Sequence, residues 1–403
     1  MALLPVAEAL EKILATTEPL PVVEMPLSEA QGRVLARDLA ARRTQPPVAV
    51  SAMDGYAVRG TDISKAPATL DVIAEVAAGR PFAGEIGPGQ ATRIFTGGVM
   101  PKGSDTVVIQ EHTARDGDRV IVKSVTETGR NVRREGIDFR AGDRLLTKGT
   151  RLTDRDLMLA AAMNYPSVPV HRAPRVAVLG TGDELVMPGS EPGPGEIVYS
   201  NGFALAALAR TAGAEVSELG IARDRIDEIA QNIRAAREQG ADVLLISGGA
   251  SVGDHDLVQR ALAQEGLKLS FWRIAMRPGR PMMHGVLDGM QVLGVPGNPV
   301  SSYVCAFLFL VPMLRKLSGR SDLAHAQFSA KLGRDLGEND ERADYLRATL
   351  REGIEGTLTA TPVMAQDSSL MANLSKADCL LIREPHAPAA KAGSHCVILK
   401  LRL

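Results

Sequence analysis

The chain has 403 residues, with 46 Lys plus Arg against 47 Asp plus Glu and a formal net charge of −1. That length implies several domains with ample core and excludes a small stapled scaffold, while the balanced charge excludes a global field able to hold nucleic acid or an anionic membrane. A hydrophobic share of 45%, with 39 Gly and 24 Pro, describes a globular but turn-rich chain whose loops carry the chemistry. Val6, Ala9, Leu10, Ile13 and Leu14 recur at helical spacing, and Ser28 opens a second expected helix over residues 28–39, with Ala30, Val34 and Leu35 on one face. From Pro46 and Pro47 to about Gly149, short β-prone runs alternate with Gly-rich turns. Helical pattern returns over residues 153–163, with Thr153 as N-cap and Asp154 and Asp156 in the first turn. The expected plan is a helical domain of residues 1–45 and 150–174 with a β-rich domain, residues 46–149, inserted in it.

Between residues 175 and 324, apolar strands alternate with amphipathic helices, the pattern of a doubly wound, mainly parallel α/β sheet. Strands are expected at 176–179, 216–219, 243–246, 269–274 and 292–295. A helix follows the second of them, with Asp224 as N-cap, Ile226, Ile229, Ala230 and Ile233 inward, and Gly240 as terminator. After residue 325 short alternating segments return, which implies a small C-terminal β domain over 325–403.

Cys305, Cys379 and Cys396 are far apart with no CxxC pairing, so neither a disulfide framework nor a structural zinc site is expected. The N-terminus lacks the basic stretch of a secretory signal, and the most apolar run, residues 304–314 with Pro312, is too short to span a bilayer. The expected location is the cytoplasm.

Three loops follow strand carboxyl ends, where open α/β sheets bind ligands: residues 180–184, 247–256 and 296–301. The first lacks the third glycine of a dinucleotide fingerprint, and no Gly-Lys pair exists for a Walker A loop. In the second, glycines let backbone amides approach an anion, and Asp254 and Asp256 stand where a helix begins, placed either to cap it or to hold Mg²⁺. That loop also matches the GxSxG nucleophile elbow around Ser251, with His284 and His325 following in the right order, although nothing in their settings marks a base. Arg277 and Arg280 flank a Pro-Gly turn ending in Pro281, a compact fork for a tetrahedral oxyanion. Arg342, Arg347, Ser368 and Ser369 could add anion ligands from the C-terminal domain. In the β-rich part, Asp54 stands at a glycine turn, Thr96 opens a tight loop, and residues 129–138 form a basic then acidic loop.

Taken together, SAMDGYAV at 51–58, Thr96-Gly97 with Pro101, residues 129–138, TGDEL at 181–185, residues 247–256, residues 277–281 and PGNPVS at 296–301 resemble the molybdopterin molybdenumtransferase family, the MoeA and gephyrin E-domain type. The resemblance covers nearly the whole chain. It implies a four-part protomer and a homodimer whose cleft joins the β-rich domain of one subunit to the α/β and C-terminal domains of the other. It further implies Mg²⁺-dependent cleavage of adenylylated molybdopterin, entry of molybdate into the dithiolene, and release of AMP, with an adenylyltransferase as the partner that would supply the substrate. By position, Asp256, Glu184 and Asp224 would hold Mg²⁺. Ser251, Arg277, Arg280, Pro281, Pro296, Pro299, Ser301, Arg342, Arg347 and Ser368 would bind substrate or molybdate, and Asp54, Thr96 and Asp138 would complete the cleft. The family commonly carries lysines where Arg277 and Arg280 stand, so fork geometry here replaces point charge. Two other readings are a gephyrin-type scaffold and a serine hydrolase using Ser251.

Overall fold

A computed structural model describes residues 3–248, 257–353 and 356–402. Helix α1 (Val6–Ala15) is amphipathic, and its inward Ala9 and Ile13 enter the core of the α/β domain rather than a helical domain of their own. Its end is anchored there as well, since Lys316 Nζ donates to the carbonyl of Leu14 at 2.6 Å. The expected helix over residues 28–39 is absent. Only Leu27–Glu29 make a 3₁₀ turn, and Gly32 adopts φ +74°, which breaks a right-handed helix. The strand Val22–Pro26 pairs antiparallel with Ser167–His171, and Leu39–Ala40 pairs with Arg144–Leu146. Ala30 and Leu35 are still buried, but from a looped backbone whose hydrogen bonds run to Thr150 and Leu152. Local periodicity lost to long-range pairing, so the expected helical domain contains one helix, α2 (Asp154–Ala162), and is otherwise built on two-stranded ladders. That helix starts as expected: Thr153 and Asp156 close a capping box, with Thr153 N–H donating to Asp156 Oδ2 at 2.8 Å.

Between these ladders in sequence lies a six-stranded sheet built from residues 55–122, antiparallel except where Ala68–Val76 runs parallel to Gln90–Ile94. The α/β domain carries a second six-stranded sheet. Four of its strands, Glu215–Ala222, Arg175–Thr181, Val243–Ser247 and Met290–Val295, are parallel neighbours. Met283–Leu287, not among the expected strands, adds an antiparallel strand, and Lys268–Trp272 closes the edge. The sheet is therefore mixed. One face is covered by α3 (Asn201–Thr211), the other by α4 (Ile226–Glu238) and α5 (Leu257–Gln264). Asp224 does not cap α4; Arg225 precedes the helix without a side-chain cap bond.

Pro299–Leu317 forms one helix, α6, 19 residues long. By length and composition it could cross a membrane, and 83% of its most apolar window is buried inside the molecule, the pattern of a core helix. It outruns the apolar stretch of residues 304–314 because it begins at Pro299, and it passes Pro312 after a widened turn at Ala306–Leu310, where the missing N–H of a proline is tolerated. Phe307, Phe309, Leu310 and Met313 of α6 share one core with Val178, Leu245 and Leu293 of the sheet and with Tyr345, Leu380 and Leu399 of the C-terminal domain. Each such side chain contributes about 1.5–3 kcal/mol by leaving water. The C-terminal strands Ala343–Glu352, Leu358–Pro362, Gln327–Leu332, His395–Lys400 and Cys379–Arg383 close on themselves as a small barrel, with the short helix α7 (Met371–Ser375) at its side.

His325 stacks on Phe307 with ring centroids 3.9 Å apart and donates Nε2–H to the Phe307 carbonyl at 2.6 Å. Burial lowers its pKa from 6.5 to about 4, against the opposing hydrogen bond. His284, buried against Gln291, is lowered for the same reason. An unfolded chain takes up protons on these rings below pH 6.5 while the folded one does not, so stability should fall as pH drops from about 6.5 towards 4. Thermal unfolding across that window should show the decline in the wild type and a shallower one in His325→Gln.

Candidate functional site

The carboxyl ends of the three central parallel strands bring their loops together. Asn201, at the start of α3, donates Nδ2–H to Ser247 Oγ and to the carbonyl of Gly297, each at 2.8 Å. Gly248 donates to the Val295 carbonyl at 3.3 Å and holds φ +105°, and a Cβ there would lie 2.3 Å from the Thr181 carbonyl oxygen. Tyr199 is wedged between Gly180 and Gly202, where added Cβ atoms would meet its ring at 2.5 Å and its hydroxyl at 2.1 Å, and burial pushes its phenol up to about 12. Sequence reading missed Asn201 and Tyr199. An Asn opening a helix reads as a cap, and nothing local says that it bridges two loops.

Asp183, Glu184 and Asp224 form an acidic group beside these loops. Asp224 N–H donates to Asp183 Oδ1 at 3.2 Å, and the Glu184 carboxylate folds back over Gly182. Burial first, then the charges of Asp183 and Glu184, raise the Asp224 carboxyl above its ordinary range. Such repulsion suits a hard cation bound by oxygen, the chemistry of Mg²⁺. Among the described residues, however, no group of three or more His, Cys, Asp or Glu is placed so as to hold a metal ion. Ser251, Asp254 and Asp256, the other expected contributors, lie outside the described residues.

Arg277 is not half of an open fork. Met276–Arg277 pairs parallel with Ala343 and Asp344 of the barrel, and the guanidinium donates Nε–H to Asp344 Oδ1 at 2.7 Å with a second bond to Oδ2. It also reaches Asp340 Oδ2 at 3.1 Å and Asn339 Oδ1 at 3.2 Å. Arg342 belongs to the same knot, donating to Asp340 at 2.8 Å; its hydrogen bonds, with the charge of Arg277, hold the Asp340 carboxyl at about 2. The expectation that Arg277 and Arg280 act together fails because the partner, Asp344, sits in a charge run (residues 338–344) that reads as solvated surface. Arg280 is exposed and makes no hydrogen bond or ion pair through its side chain among the described residues. Between the two arginines, Gly279 presses on α6, where a Cβ would come within 2.4 Å of Cys305 Sγ.

Ser368 does meet a strand-end loop, and Arg347 braces the segment that carries it. Arg347 is buried at 1% exposure, donates to the Asp367 carbonyl at 2.9 Å and leaves Nε without a partner, and burial lowers the guanidinium pKa. The Ser368 carbonyl accepts from Val300 N at 3.1 Å. This sets the 366–369 loop against the first turn of α6, beside Pro296, Pro299 and buried Ser301, at a helix N-terminus that favours negative charge. A cavity of about 550 Å³ opens nearby between α3, α6 and α7, lined by Asn201, Ser302, Tyr303 and Met371 among others.

The β-rich residues form a separate group. Asp54 Oδ1 accepts from Thr96 N at 2.7 Å and Thr96 Oγ1 at 2.8 Å, which holds its carboxyl below the usual range. Asp138 lines a groove of about 520 Å³ with Arg43, Arg133 and Gly97, the residue after Thr96. Among the described residues, no hydrogen bond or ion pair links Asp54, Thr96 or Asp138 to the strand-end loops.

Three family models match in chain order: the MoeA N-terminal region (domain I and II) over residues 4–164, a probable molybdopterin binding domain over 177–316, and the MoeA C-terminal region (domain IV) over 329–401. A molybdopterin molybdenumtransferase of Haemophilus influenzae is 34% identical over 92% of each chain. This chain belongs to the molybdopterin molybdenumtransferase family. Another member, from Nostoc, is 41% identical over 72% of this chain and 68% of its own. The crystal structure of a molybdopterin biosynthesis MoeA protein from Pyrococcus horikoshii superposes with a TM-score of 0.85 at 30% identity, covering 99% of both chains. Family membership agrees with the mixed α/β sheet, the separate β-rich sheet and the C-terminal barrel.

Arg277 and Arg280 should separate cleanly by stability. Arg277→Ala strands Asp344, which is 5% exposed, and should cost about 3–5 kcal/mol. Arg280→Ala should stay within about 0.5 kcal/mol. Thermal unfolding of the two variants beside wild type checks the contrast.

Proposed function

We propose that this chain, an enzyme of molybdenum cofactor biosynthesis, inserts molybdate into the dithiolene of adenylylated molybdopterin and releases AMP. The observation that carries this reading is the seating of Ser368 against the first turn of α6, with Arg347 holding the neighbouring Asp367 carbonyl. A tetrahedral dianion there would meet an arginine, a helix N-terminus and the Ser301 and Ser368 hydroxyls. Arg280, with no partner among the described residues, is the mobile cation that closes on it; Arg277 and Arg342 act by holding the barrel in place. Mg²⁺, held by Glu184, Asp224 and Asp256, would supply Lewis-acid stabilisation of the adenylate phosphate. Asn201 and Tyr199 keep the loops that receive the nucleotide in register.

The separation of Asp54, Thr96 and Asp138 from that site supports a homodimer in which the β-rich domain of one subunit completes the cleft of its partner. A cytoplasmic location, and an adenylyltransferase supplying the substrate, complete the reading. The serine hydrolase reading is weakened because His284 and His325 are both committed to packing, one to Gln291 and one to Phe307. A gephyrin-type scaffold would have no use for Asp224 and Glu184 beside an oxyanion cradle.

Purified protein incubated with adenylylated molybdopterin, Mg²⁺ and molybdate should release AMP only when molybdate is present; release without it would mark a hydrolase. Arg280→Ala should raise the molybdate concentration for half-saturation by about tenfold, the value of one charge-assisted hydrogen bond. Asp256→Asn, nearly isosteric and an equally good cap, should slow AMP release by on the order of 10² if the carboxylate holds Mg²⁺, with partial rescue by added Mg²⁺. Wild-type turnover by that variant would move the metal to Glu184 and Asp224.

A further inference from the structure

A second cationic crevice lies away from the strand-end loops, where the N-terminal ladders meet the ends of α3 and α6. Arg33, Arg151, Arg172, Arg320 and His171 line it, and no Asp or Glu does. In a chain of net charge −1 this concentration of one sign needs an explanation. Two of the guanidiniums are accounted for. Arg172 grips Asp242 through bonds of 2.7 and 2.6 Å, and Arg320 donates Nε–H to Asp322 at 2.7 Å.

Arg33 and Arg151 have no side-chain hydrogen bond or ion pair among the described residues. Arg315, just behind them, donates only to the carbonyls of Leu323 and Ala324. Its guanidinium is depressed by burial first and then by the charge of Arg320, with Asp322 opposing and Arg151 adding a smaller depression. The two helix C-termini supply about half a negative charge each. Their last carbonyls are already taken by the backbone of Ala212, Gly213, Ser318, Gly319 and Arg320. Positive charge therefore remains in excess. His171, 8% exposed, donates Nδ1–H to the Leu20 carbonyl at 2.6 Å, and its Nε2 has no partner.

We propose that this crevice binds a small inorganic oxyanion of the phosphate or sulfate class, which clamps the N-terminal ladders to the α/β domain. Guanidinium groups match the tetrahedral oxygens of such an ion. The crevice itself is small, about 20 Å³, so the ion sits at its mouth against exposed Arg151, and no nucleotide or pterin can enter. The proposal stands independently of the transferase reading.

Inorganic phosphate, compared with chloride at equal ionic strength, is the probe. At saturating phosphate the wild type should gain about 2 °C in Tm over chloride, with one bound ion per chain at this crevice by calorimetry. Arg33→Gln/Arg151→Gln should abolish that gain while keeping the wild-type circular dichroism, and Arg280→Ala should retain it. Should the double variant fold poorly, the single change at exposed Arg151 serves: Arg151→Gln should weaken phosphate binding at least tenfold. No gain over chloride in the wild type, or an undiminished response in Arg151→Gln, would overturn the proposal.

Discussion

Asp344 is a carboxylate buried at the root of the C-terminal barrel, and the architecture of the site depends on how that charge is met. A buried carboxylate without a partner is untenable, and the partner arrives from another domain: Arg277, on a short strand that adds to the barrel in parallel register. Backbone pairing and a two-point ion pair thus fall on the same two residues. The hydrophobic core continues through this junction, from Met276 to Ala343 and Tyr345, so the α/β domain and the barrel share one interior. Fixed in that way, the barrel can present Ser368 to the first turn of α6 and bury Arg347 beside it.

Charge placement follows from the same frame. With overall charge near zero, every field in the molecule is local, and the chain sorts its charges into compartments. Carboxylates gather at Asp183, Glu184 and Asp224, cations and a helix N-terminus gather across the strand ends, and a separate arginine cluster sits at the seam of α3 and α6. Small residues set the spacing between these compartments. Gly180 and Gly202 hold Tyr199 between them, and Gly248 lets two loop backbones touch.

The β-rich sheet plays a different part. Asp54, Thr96 and Asp138 are placed by their own loops, and among the described residues no hydrogen bond or ion pair links them to the strand-end loops. The proposed homodimer would bring them there from a second copy.

Much of this was legible in the sequence. Periodicity located the central parallel strands and α4, Thr153 announced its capping box, and SAMDGYAV with PGNPVS carried the family. Those signals are local, or they are strings read as wholes. What local pattern could not decide was the outcome of long-range competition. Residues 28–39 have a helical face, but their backbone groups found partners at 150–152 and a left-handed Gly32 broke the turn. Arg277 looked free because its acid lies 67 residues on, in a run that reads as solvent-facing. Asn201 went unread because the oxygens it bridges, on Ser247 and Gly297, lie 46 and 96 residues away. The sequence by itself determined which elements form and which chemistry is available; only the tertiary structure decided which charges are spent on holding the fold and which are left to act, because a charge is satisfied by whatever lies within about 3–4 Å of it in space, and chain distance carries no information about that.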